Sequence, residues 1–136
     1  NGYIDKFIGD AIMAVFRGEF HLDRAVDASL AVRKRLEEMS GDSGVAGFKP
    51  CVSIGINSGE MISGNIGSAS LKRLDYTVIG DVVNTAQRLQ SEAKEGQILI
   101  KEESYNLIKE SFNCRKVGEV TLKHKSNPAT VYEVLD

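Results

Sequence analysis

The chain has 136 residues, 42% of them hydrophobic, with 17 Lys plus Arg against 19 Asp plus Glu for a formal net charge of −2. This length suits one globular domain of roughly 100–200 residues around a single core, and the near-neutral charge offers no basic field for a nucleic-acid backbone. No stretch reaches the ~18–20 consecutive apolar residues of a membrane span and no secretory signal opens the chain, so neither nucleic acid nor direct membrane contact is expected for this segment.

Residues 2–8 and 11–16 are apolar, β-prone runs separated by Gly9-Asp10, a pair that reads as a tight hairpin turn. From Asp23 to Met39, with His21 to Asp23 as the start, Ala25, Val26, Ser29 or Leu30, Val32 or Arg33, Leu36 and Met39 recur with the 3.6 period of an amphipathic helix. Residues 40–47 form a glycine-rich connection, and Cys51, Val52, Ile54 and Ile56 suggest a strand over Lys49 to Asn57. Ser58-Gly59-Glu60 then turns the chain into Met61 to Ile66, and Lys72 to Ile79 reads as a further extended segment.

Asp81 is a good N-cap, and Val82, Ala86, Leu89 and Ala93 form the buried stripe of the helix that follows, which Gly96 closes. Asn84 and Arg88 lie together off that stripe. Gln97 to Ile100 is a short strand, Glu102 to Lys109 a helix, and Arg115 to Lys123 and Thr130 to Leu135 are strands around a Ser126-Asn127-Pro128 turn. This order predicts an α+β domain with helices on a mostly antiparallel sheet. Cys51 and Cys114 are isolated, as are His21 and His124, so no disulfide framework or metal-ligand spacing is present. Reduced thiols in a cytoplasmic setting are the expectation.

Two short segments carry the chemistry. Asp10 sits at the hairpin turn of Tyr3–Phe16, four residues after Lys6; Thr77, Asn84 and Arg88 lie within Asp75-Tyr76-Thr77-Val78-Ile79-Gly80-Asp81-Val82-Val83-Asn84-Thr85-Ala86-Gln87-Arg88-Leu89. A turn carboxylate can hold a divalent cation, a lysine and a hydroxyl can read a base edge, and an asparagine and arginine at i and i+4 can grip ribose and phosphate. Each also has a plain structural reading: Asp10 as turn former, Lys6 as edge-strand guard, Thr77 as β-branched packing residue, Asn84 and Arg88 as a solvated pair.

Taken together the two segments resemble the class III nucleotidyl cyclase catalytic domain, of the adenylate cyclase type, over nearly the whole chain. The resemblance implies a ferredoxin-like α+β core and a head-to-tail homodimer with active sites in the interface. It assigns Asp10 to the metal, Lys6 and Thr77 to the base, Asn84 to the ribose, and Arg88 to charge developing on the α-phosphate. Leu122-Lys123-His124-Lys125 is similar to the family's Leu-Lys-Gly-Lys stretch, which assigns Lys123 to the terminal phosphates, with His124 in place of glycine. By this assignment Asp10 serves one site of the dimer while Lys6, Thr77, Asn84, Arg88 and Lys123 serve the other.

The implied reaction is conversion of ATP to cyclic AMP and pyrophosphate with two divalent ions, Mg²⁺ or Mn²⁺. An ammonium donates to adenine N1 and a hydroxyl accepts from the 6-amino group, whereas guanine presents a donor at N1; Lys6 therefore favours ATP over GTP. The chain opens on Asn1-Gly2-Tyr3 without a methionine. The family's first strand and second metal aspartate are accordingly expected upstream, and this segment alone is expected to be inactive. The alternatives are a non-catalytic regulatory or dimerisation domain of the same fold, and a guanylate cyclase. A diguanylate cyclase would carry a Gly-Gly-Asp/Glu-Glu-Phe hairpin, which Phe7-Ile8-Gly9-Asp10-Ala11 lacks.

Overall fold

The computed structural model describes residues 2–8, 11–42, 51–59, 81–121 and 128–136. The hairpin forms with the bounds read from the sequence: β1 (Gly2–Ile8) pairs antiparallel with β2 (Ala11–Phe16), from Gly2 opposite Phe16 to Ile8 opposite Ala11, with an irregularity between Ile4 and Lys6. The chain then turns through Phe20, held at φ 56°. The Arg24 guanidinium braces this turn by donating to the carbonyls of Arg17 and Glu19.

Helix α1 (His21–Asp42) buries Leu22, Val26 and Ser29 and brings Arg33 to the same face. Offsets of four, three and four residues keep these on one line along the helix. Of the alternatives Val32 or Arg33, Arg33 is the one on this line; Val32 is 47% exposed and Met39, expected on the stripe, is 41% exposed, both about a quarter turn away from it. Arg33 takes the place of an apolar residue by donating to the carbonyls of Gly96 (3.3 Å), Val134 (3.2 Å) and Leu135.

Strand β3 (Ile54–Ile56) pairs in parallel with β4 (Ile98–Lys101); β4 pairs antiparallel with β6 (Pro128–Val134), and β6 antiparallel with β5 (Cys114–Thr121), giving the order β3-β4-β6-β5. With the hairpin, most of the described pairings are antiparallel, as expected. Strand β3 is shorter than the sequence suggests. Residues 51–53 bind the turn at residues 94–97 instead of a strand: Gly96 N–H donates to the Val52 carbonyl (2.8 Å) and the Ser53 hydroxyl to the Lys94 carbonyl (3.2 Å). The connection 43–50 and the segments expected at Met61–Ile66 and Lys72–Ile79 lie outside the described residues.

Strand β4 is apolar at its first three positions, Ile98, Leu99 and Ile100, because both of its faces are covered there. Ile98 and Ile100 join Leu22, Val26, Ile56, Val134 and Ile108 of α3 (Glu102–Ile108) in one core cluster. Leu99 points the other way and packs with Val131 and Leu89 of α2 (Asp81–Glu92). Helices α1 and α3 thus cover one face of the sheet and α2 the other. No described helix is long and apolar enough to cross a membrane.

Candidate active site

Helix α2 carries the two site residues whose side chains are described. Its buried line holds Thr85 and Leu89, flanked by half-buried Val82, Ala86 and Ala93. Thr85 was not on the expected stripe; α2 is rotated slightly, so that the residue between Asn84 and Ala86 is pressed into the protein. The helix ends at Glu92, before the Gly96 turn expected to close it. Asn84 and Arg88 are both exposed and share one face, as expected.

The position of that face is set by close packing beneath it. A Cβ on Gly55 of β3 would lie far inside van der Waals contact of the Ala86 carbonyl oxygen and the Gln90 amide nitrogen, and 2.9 Å from Leu89 Cβ. Only glycine lets the strand and helix backbones approach this closely. Arg88 Nη2 lies 3.2 Å from Glu92 Oε1, with 43% and 36% of the two side chains exposed. A pair this open contributes about 0.2–1 kcal/mol, so an incoming phosphate can take the guanidinium at little cost.

The remaining candidates are less fully placed. Lys6 lies in β1 with its Cα opposite Met13. Asp10, Thr77 and Lys123 lie outside the described residues: Asp10 between the paired ends Ile8 and Ala11, Thr77 just before α2, and Lys123 between Thr121 and Pro128, which pair across β5 and β6. Among the described residues no group of three His, Cys, Asp or Glu could hold a metal ion. The chemistry of Asp10 suits a hard cation all the same, since Mg²⁺ takes one or two carboxylates and completes its shell with substrate phosphates and water.

Three residues that support this site were not singled out from the sequence. Gly55 had a signal, a glycine inside an apolar β run. Glu92 had one too, an acid four residues after Arg88. Asn57, whose Nδ2 donates to the Val82 carbonyl in the first turn of α2 (3.1 Å), had none, because that contact joins residues 25 apart in the chain.

The sequence profile of the family described as "Adenylate and Guanylate cyclase catalytic domain" matches residues 3–134. The chain is 38% identical over 146 residues to the terminal-differentiation-specific adenylate cyclase of Dictyostelium discoideum, covering 99% of this chain and 7% of that protein. Among solved structures, the adenylyl cyclase CyaB from P. aeruginosa superposes with a TM-score of 0.84 at 38% identity, over 99% of this chain and 72% of that one. The guanylyl cyclase Cya2 superposes with a TM-score of 0.79 at 31% identity, over 98% of this chain and 69% of that one. A mixed open sheet with helices on it, an exposed Asn-x-x-x-Arg face and a match along almost every residue lead to one conclusion: the chain belongs to the adenylate and guanylate cyclase catalytic domain family.

Proposed function

We propose that this domain is the catalytic part of an adenylate cyclase, in which the ribose 3′-oxygen of ATP attacks the α-phosphorus and pyrophosphate leaves. The observation that carries the reading is the shared exposed face of Asn84 and Arg88 on a helix locked to the sheet. A fixed guanidinium beside an α-phosphate stabilises charge that builds only in the transition state, which lowers the barrier without tightening ground-state binding. Asn84, one turn away, orients the ribose so that its 3′-oxygen faces the phosphorus.

In this proposal two copies pair head to tail. One contributes Asp10, and the other contributes Lys6 and Thr77 to the adenine edge and Lys123 to the terminal phosphates. Bound Mg²⁺ or Mn²⁺, two ions per site, supplies positive charge at the reacting and leaving oxygens. Lys6 as a donor toward N1 supports ATP as the substrate. Guanylate cyclase is the second reading, favoured by the similarity to Cya2. The test is turnover of Arg88→Ala at saturating ATP: a loss of about 10²–10³-fold in kcat is expected for one transition-state donor, and near-parental turnover would remove Arg88 from the reaction.

A further inference from the structure

Asn57 leaves β3 and reaches α2 with its side chain. Its Nδ2 donates to the Val82 carbonyl (3.1 Å), while its Oδ1 is buried with no hydrogen-bond partner among the described residues. The amide has only one workable orientation, because a flip would set two oxygens against each other at Val82. An acceptor buried without a partner costs stability, and an apolar residue of similar shape would avoid that cost. Among the described residues, the bond from Nδ2 to the Val82 carbonyl is what distinguishes an asparagine here from an apolar residue of similar shape.

The neighbours of Asn57 are anchored as well. The Ser58 hydroxyl donates to His21 Nε2 (2.6 Å), and His21 Nδ1–H donates to the Gly18 carbonyl (3.0 Å) in the turn after β2. A Cβ on Gly59 would meet Val82 Cγ2 at 2.8 Å. The segment 55–59 therefore lies along α2 from Val82 to Gln90, tied at its far side to the start of α1. Gly55 sets how near the helix comes, and the single hydrogen bond from Asn57 sets where Val82 sits along and around the helix axis. Val82 precedes Asn84 by two residues and Arg88 by six.

We infer that Asn57 is a positioning residue for the cyclase reaction: by holding the Val82 carbonyl it fixes the first turn of α2, and so the aim of Asn84 and Arg88 at the substrate. This rests on the reading of Arg88 as the phosphate-facing group. Asn57 touches no substrate in this scheme and acts through α2 alone.

The test compares Asn57→Asp, which keeps the shape but replaces the donor with an acceptor, in the parental protein and in Arg88→Ala, using full-length protein with ATP and recording kcat, KM and the thermal midpoint. A misaimed reacting group costs rate steeply, so Asn57→Asp should lower kcat about tenfold while KM for ATP changes less than about threefold. In the Arg88→Ala background the same change should lower kcat by clearly less than in the parental protein, about threefold or less, since only Asn84 is left to misaim and residues that act as a unit are not additive. A merely structural role would lower the active fraction equally in both backgrounds. If Asn57→Asp does not fold, Asn57→Ala, which removes the donor without adding charge, makes the same comparison. Parental kcat in either variant, or equal losses with and without Arg88, overturns the inference. If Arg88→Ala itself turns over normally, the reading of α2 fails and this inference with it; if Arg88→Ala is impaired and the losses are additive, only the inference fails.

Discussion

Gly55 of β3 and Leu89 of α2 meet with no room for a side chain between them: a Cβ on Gly55 would stand 2.9 Å from that of Leu89, with the Ala86 carbonyl closer still. Leu89 is itself fully buried against Leu99 and Val131, so α2 cannot retreat without opening the core on that face of the sheet. Gly55→Ala is expected to destabilise the domain by about 1–3 kcal/mol, the usual cost of overpacking. Because the displaced helix carries Asn84 and Arg88, kcat should fall even well below the unfolding temperature. Urea unfolding and turnover of the same preparation check both parts; an unchanged denaturation midpoint would mean that the backbones are not in contact.

Arg33 ties α1 to the turn after α2 and to the end of β6 through the Gly96, Val134 and Leu135 carbonyls. Arg33→Met keeps the apolar stem and removes the donors, leaving part-buried carbonyls unpaired. A loss of about 1–3 kcal/mol is expected. It should appear as a lower thermal midpoint with kcat unchanged at temperatures where the variant is folded, because Arg33 lies away from the Asn84–Arg88 face. A parental midpoint would contradict the bracing role.

In the proposed reading, Lys6 and Thr77 set base choice. Lys6→Glu with Thr77→Cys replaces a donor toward N1 with an acceptor, which suits guanine. The ratio of kcat/KM for ATP to that for GTP should fall by about 10²-fold or more, since unpaired polar groups in a base pocket are costly. Unaltered preference in a folded, active double variant would count against the assignment.

The two thiols should differ in reactivity. Cys51 is exposed, whereas Cys114 is half-buried at the start of β5 and burial raises its pKa above the ordinary thiol value. The thiolate is the reactive form, so at mildly alkaline pH Cys51 should be alkylated before Cys114 in the folded protein, and the difference should vanish in denaturant. Mass spectrometry of a labelling time course reads this directly. Faster labelling of Cys114 would mean that β5 opens at its start.

Local patterns predicted local features well. The Gly-Asp pair between two β-prone runs gave both hairpin strands their bounds, and the i, i+4 spacing placed Asn84 and Arg88 together on the outside of α2. Contacts between distant segments were not legible. Of the two residues offered for one stripe position, Arg33 and not Val32 turns inward because carbonyls of residues 96, 134 and 135 surround it, and Cys51 and Val52 fall outside the strand because the turn at 94–97 binds the Val52 carbonyl and the Ser53 hydroxyl. Asn57 ends the expected strand, and nothing in the sequence links it to Val82, 25 residues on. In each case the missing information is the three-dimensional partner, which periodicity does not encode.

The most direct test of the account is product formation by the full-length protein given ATP or GTP with Mg²⁺ or Mn²⁺. Cyclic AMP is expected from ATP, cyclic GMP from GTP in much smaller amount, and a fall of about 10²–10³-fold in cyclic AMP formation with Arg88→Ala. Preferential formation of cyclic GMP, no cyclic nucleotide from either substrate, or cyclic AMP formation indifferent to Arg88 would contradict it.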